Sequence, residues 1–130
     1  MRYLLDVNAL LAYGFADHQF HSRVTRWIHS ENSPELLTCS ITELGFIRIL
    51  SQLRASNYTT AQARNLLLAQ KSDQNLPLTL IPDNNDISHL PAWAAAPKQT
   101  TDGHLLSLAK THNALLATLD SGIPGAFLIP

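Results

Sequence analysis

Four of the ten acidic residues fall where a parallel sheet would put them to chemical use: Asp6, Glu43, Asp102 and Asp120. Asp6 closes the apolar run Tyr3-Leu4-Leu5, and Asp120 closes Leu115-Leu116-Ala117-Thr118-Leu119. Glu43 precedes Phe46, Ile47 and Leu50 by three, four and seven residues, and Asp102 stands likewise before Leu105, Leu106 and Ala109. That spacing puts both carboxylates on the apolar stripe of a helix, aimed at the sheet edge. Like charges converging on one rim repel and raise one another's pKa. A divalent cation relieves the repulsion, and an all-oxygen donor set favours Mg²⁺ or Mn²⁺ over Zn²⁺. Each residue also has a plainer use. Glu43 could complete a capping box with Ser40, Asp102 could favour a helix N-terminus through its dipole, and Asp6 and Asp120 could simply end strands.

The elements that would position these groups follow from periodicity and punctuation. Short apolar strands are expected near 3–5, 36–39, 78–81, 115–119 and 127–129. Helices are expected from Ala9 to Ala16, with Asn8 as a possible cap, and from Asp17-His18 to His29, with Phe20, Val24, Trp27 and Ile28 on the packed face. Three more are expected: one capped by Ser40 and largely buried, one from Thr59-Thr60 to about Ser72, and one capped by Thr100 or Thr101 and running to His112. Asn113 fits a left-handed helix terminus. Between Pro91 and Pro97, Trp93-Ala94-Ala95-Ala96 suggests a short helix, but Asp83 to Gln99 carries no readable pattern. Strands alternating with helices predict right-handed crossovers and a short-stranded parallel sheet covered on both faces: an α/β fold, a three-layer α/β/α sandwich. In such a sheet, sites form beyond the strand C-termini.

Composition narrows the classes. The chain has 130 residues, 45% hydrophobic and 15% charged, with a formal net charge of −1. That predicts one ordered domain spanning 1–130. The single cysteine, Cys39, excludes an intrachain disulfide and a Cys-rich metal site, fits a reducing cytoplasmic setting, and reads as a small buried residue. No apolar stretch is long enough for a membrane span, and Asp6 arrives too early for a secretory signal. The six histidines form no His-Glu-x-x-His pattern, and no Gly-rich nucleotide loop is present.

Taken in order, the motifs resemble the PIN domains, in particular VapC-type toxins of bacterial toxin–antitoxin operons. Asp6-Val7-Asn8-Ala9-Leu10 resembles the family's opening Asp-x-Asn-x-Leu, and His21-x-Arg-x-x-x-Trp27 its second-helix pattern. Thr42-Glu43 through Arg48-Ile49-Leu50 resembles the central Glu-x-x-x-x-Arg segment. Thr101-Asp102-Gly103-His104-Leu105-Leu106 and Ala117-Thr118-Leu119-Asp120 resemble the two C-terminal acidic motifs. The resemblance covers nearly the whole chain. It departs at Ser121, where many relatives carry a basic residue, and in 83–99. It implies a metal-dependent endoribonuclease, homodimerisation and a small antitoxin that blocks the site.

On that reading Asp6, Glu43 and Asp102 contact Mg²⁺ or Mn²⁺, directly or through water, and Asp120 completes the site or binds a second ion. The ion lowers the pKa of a bound water and binds phosphate oxygens. Asn8 would orient a carboxylate or water, or cap a helix. Thr42 and Thr118 would add supporting hydroxyl bonds or favour local structure. Arg48, in a very apolar helix, is expected to pair. Setting the four carboxylates aside leaves six acidic residues against nine basic ones, which suits a phosphate-bearing RNA substrate. His21, Arg23 and Trp27 could form a substrate surface, although packing explains Trp27 better. The rival readings are an Asp-nucleophile phosphatase, which Asn8 in place of a second Asp disfavours, and a non-catalytic module binding RNA or protein. Residue chemistry alone does not separate RNA from DNA.

Overall fold

The computed structural model describes all residues, Met1–Pro130. Five parallel strands order as β3-β2-β1-β4-β5. They are β1 (Arg2–Leu5), β2 (Glu35–Thr38), β3 (Leu78–Leu80), β4 (Leu115–Thr118) and β5 (Phe127–Leu128). The helices are α1 (Val7–Gly14), α2 (His21–Ser30), α3 (Ser40–Gln52), α4 (Thr60–Lys71) and α5 (Thr100–Thr111). The chain winds outward from β1 through β2 to β3, then crosses back to place β4 on the other side of β1. The β1/β4 seam is therefore the switch point of the sheet, where α/β folds open a crevice.

The central strands β1, β2 and β4 are buried on both faces, and alternation sorts their side chains between two cores. Tyr3, Leu5, Leu36, Leu78 and Ala117 pack with α1, α2, α3 and α4. Leu4, Leu37, Cys39 and Leu116 pack beneath Leu105, Leu106, Leu108 and Ala109 of α5. This is the expected three-layer arrangement. Asn113 takes the left-handed conformation after α5, with φ of 54°. Cys39 is fully buried, and Trp27 is a core residue, stacked edge-on against Tyr3 with ring centroids 4.9 Å apart.

Several boundaries differ from the sequence reading for local reasons. α1 starts at Val7, because Asp6 rather than Asn8 is its N-cap. α2 starts at His21: the Phe20 N–H donates to His18 Nδ1 at 3.0 Å, so residues 17–20 form turns and leave Phe20 exposed. α3 is capped by Cys39 instead of Ser40. Its Thr42 hydroxyl accepts from the Cys39 N–H and donates to the Cys39 carbonyl, both at 3.0 Å. That helix is only half-buried, with Leu44 64% exposed. Trp93–Ala96 forms no helix, because Ala96, preceding Pro97, is held extended. A 3-10 turn, Pro97–Gln99, instead runs straight into α5 and replaces a threonine cap.

The crossing of α1 and α3, which anchors the loops after β1 and β2, depends on Gly45. A Cβ there would stand 2.7 Å from Val7 Cγ2. Gly45→Ala should therefore destabilise the protein by about 1–3 kcal/mol through overpacking. Thermal denaturation should show a Tm lower by several degrees.

Candidate active site

Asp6 is the most buried acidic residue of the chain, 5% exposed at the end of β1. Its Oδ1 accepts from the Ala9 N–H at 2.8 Å, and its Oδ2 accepts from the Thr118 hydroxyl at 2.5 Å. The first bond caps α1 and the second ties β1 to the end of β4. Thr118 Oγ1 in turn accepts from the Asp120 N–H at 3.0 Å, which places Asp120 over the same seam. Asp120 Oδ1 accepts from the Gly122 N–H at 2.8 Å. Asp102 rises from the first turn of α5, and its carboxylate makes no hydrogen bond to any protein group.

Electrostatics marks these three as one group. Burial pushes the Asp6 carboxyl above the usual range against its two hydrogen bonds, and the charges of Asp102 and Asp120 add to the rise. The Asp102 carboxyl is likewise raised, by burial and then by Asp120. Glu43 stands apart. It leaves the capping role to Thr42, and its Oε2 receives the Thr38 hydroxyl at 2.5 Å and Lys71 Nζ at 2.7 Å. A cation from the end of α4 thus already neutralises it.

The supporting residues divide in the same way. Thr118 holds Asp6, whereas Thr42 serves α3 and is fully buried. Asn8 is exposed on the first turn of α1, in a cleft shared with His18, Gln19, Phe20, Leu119 and Asp120. Arg48 does not pair. It is exposed, makes no ion pair, and lines a groove with Leu44, Ile47 and Ser51; an apolar helix with one face open to solvent gives its side chain water instead of a carboxylate. Arg23 is spent on the Ile129 and Pro130 carbonyls. Thr38 and Lys71 are absent from the sequence reading. Thr38 ends β2 as Thr118 ends β4, a parallel that could have revealed it. Lys71 carried no local signal.

The sequence matches a known family. The PIN domain model matches residues 3–126. The chain belongs to the PIN domain family. Ribonuclease VapC44 of Mycobacterium tuberculosis is 36% identical over 137 residues, spanning 97% of this chain and 94% of that protein. Two solved structures share the PIN fold. One is M. tuberculosis VapC20, described as a sarcin-ricin loop cleaving toxin, with a TM-score of 0.67 at 11% identity over 98% of this chain and 99% of that one. The other is VapBC2 from Rickettsia felis bound to a DNA fragment from their promoter, with a TM-score of 0.60 at 16% identity over 98% and 97%.

PIN-domain nucleases generally use divalent metal ions. The donor chemistry here fits one: carboxylate oxygens only, mutual repulsion, and an Asp102 with both oxygens free. The side chains do not form a closed cage, since no three His, Cys, Asp or Glu residues stand close enough together to hold an ion.

Two outcomes follow for stability. Lys71→Met leaves Glu43, with only 20% of its side chain exposed, without a counter-charge. It should cost about 1–3 kcal/mol, read as a lowered Tm. The second outcome concerns pH. Raised carboxyl pKa values mean that the folded state holds its protons more tightly than the unfolded chain. The associated stability is complete in acid and is lost as pH rises through the folded pKa values. In EDTA, Asp102→Asn should therefore melt above wild type at neutral pH, the difference closing below about pH 4. Scans across pH check it.

Proposed function

We propose that residues 1–130 act as one PIN-domain endoribonuclease toxin, dependent on Mg²⁺ or Mn²⁺, that hydrolyses RNA phosphodiester bonds in the cytoplasm and is neutralised by a cognate antitoxin. The observation that carries this is the coupling of Asp6, Asp102 and Asp120 at the β1/β4 switch point. The ribonuclease names of relatives such as VapC44, spanning nearly the whole chain, supply the reaction class. The toxin–antitoxin pair in the R. felis structure supplies the partner.

In this mechanism Asp6, Asp102 and Asp120 would hold the metal, and Glu43 would contact it directly or through water. Bound there, a divalent cation would supply an activated water and neutralise charge on the phosphate. Thr118 keeps the Asp6 carboxylate at a fixed angle. Asp102, whose carboxylate bonds to no other protein group, would be available as a ligand with both oxygens. Asn8, beside Asp120 in the adjoining cleft, orients a water or a phosphate oxygen. The family resemblance implies a homodimer, for which Leu44 on α3 and Leu68 on α4 are exposed leucines available for contact. The phosphatase reading loses ground because Asn8, an amide that cannot act as a general acid, stands where that chemistry needs a second Asp. No helix is long and apolar enough to cross a membrane.

Incubation of a mixed RNA pool with Mg²⁺ or Mn²⁺, beside EDTA, tests the proposal. Wild type should cut only with metal. Thr118→Val, which frees Asp6 without removing it, should lose about 10–100-fold in rate, as supporting bonds to metal ligands do. Asp102→Asn should lose more. A folded wild type that gains thermal stability from Mg²⁺ but cuts nothing would favour the non-catalytic binding module.

A further inference from the structure

The segment between β3 and α5 lacks regular structure beyond two 3-10 turns, Ile87–His89 and Pro97–Gln99. It is nevertheless fastened along α5. His112 Nε2–H donates to the Pro82 carbonyl at 2.9 Å, His104 Nε2 meets Asp83 Oδ2 at 2.5 Å, and Asn85 Nδ2 donates to Thr111 Oγ1 at 3.1 Å. At the far end Ala94 is buried against Gly103 so closely that a Cβ on the glycine would lie 2.6 Å from the Ala94 Cβ. Gly103 directly follows Asp102. The fastening therefore delivers the segment to the acidic site.

What it delivers is specific. Trp93, Lys98 and Gln99 line a cleft of about 340 Å³ whose other walls are Asp102, Asp120 and Gly122. Trp93 packs by one side on the α5 core and is only partly buried. Lys98 is exposed and pairs with neither carboxylate, nor with any other. A braced aromatic ring and a free cation beside hydrolytic carboxylates match the two parts of a nucleotide. Unpaired bases stack on aromatic rings, and lysine takes phosphate as a point charge. A base within a duplex offers no such face.

We propose that this cleft binds one unpaired nucleotide next to the scissile phosphate, with the base on Trp93 and a phosphate at Lys98, so that segment 83–99 selects the RNA that is cut. The inference rests on the ribonuclease reading. It makes Trp93 a positioning residue for the substrate.

The test has a binding arm and a kinetic arm. Asp102→Asn protein in Mg²⁺ is titrated with a single-stranded RNA oligonucleotide of mixed sequence and with its duplex, and tryptophan fluorescence is followed. The single strand should quench, the duplex should not, and Trp93→Phe in the same background should abolish the change, because the remaining Trp27 is buried. In otherwise wild-type protein, Trp93→Ala should raise KM by about tenfold, more than it lowers kcat, and shift the cut sites; Trp93→Phe should restore them. Lys98→Ala, at an exposed position that folding does not need, should reduce the log–log salt slope of RNA binding by about one. Quenching that survives without Trp93, or unchanged KM, cut sites and salt slope in both alanine variants, overturns the proposal while leaving a cutting wild type a ribonuclease. Trp93-dependent quenching in a wild type that cuts no RNA would instead sink the ribonuclease reading and keep the binding cleft.

Discussion

The buried carboxylate of Asp6 is the constraint around which the rest of the site is built. A carboxylate 5% exposed at the end of a strand pays a desolvation cost that only hydrogen bonds or a cation can offset. Two bonds are present, and each performs a second task. The Ala9 N–H bond starts α1 directly from the sheet. The Thr118 bond fastens the ends of the two strands that flank the switch point and, through the Asp120 N–H, sets the start of the last loop. Even so, the Asp6 carboxyl remains raised. The offset is incomplete in the protein alone, and the shortfall is what a divalent cation would make up.

Charge is distributed unevenly among the four sequence candidates. Glu43 has Lys71 and the Thr38 hydroxyl. Asp6, Asp102 and Asp120 have no cation, although exposed Lys98 stands in the same cleft as two of them. A folded chain could have quenched this cluster with a lysine, as it does at Glu43, and it does not. The uncompensated repulsion costs stability at neutral pH, and such a cost is usual where a fold keeps a site ready for a ligand.

Much of this was legible because spacing encodes direction. The alternation of short apolar runs and helices gave the layered parallel sheet, and the i, i+3, i+4, i+7 relation of Asp102 to Leu105, Leu106 and Ala109 pointed it at the strand ends. The same argument applied to Glu43 located the residue but not its partner. Lys71 lies 28 positions away, and no local periodicity reports a contact of that length. Local competition was the other source of error. His18 captures the Phe20 N–H and delays α2, while Thr42 takes the capping role assigned to Ser40 and Glu43. Side chains that bond their own backbone compete with secondary structure in ways that hydrophobic pattern does not record.

Segment 83–99 shows why pattern fails where fastening succeeds. Its order comes from single side-chain bonds to α5 and from one close approach at Gly103, none of which has a period. Such a segment can change its tip without disturbing the sheet, because the bonds that hold it lie on the outer side of α5 and at its ends. The carboxylates, by contrast, are tied to strand termini and helix starts that the whole core specifies. The division of labour follows: reaction chemistry is lodged in the rigid β1/β4 seam, and the freedom to vary what is recognised is lodged in a loop braced against it.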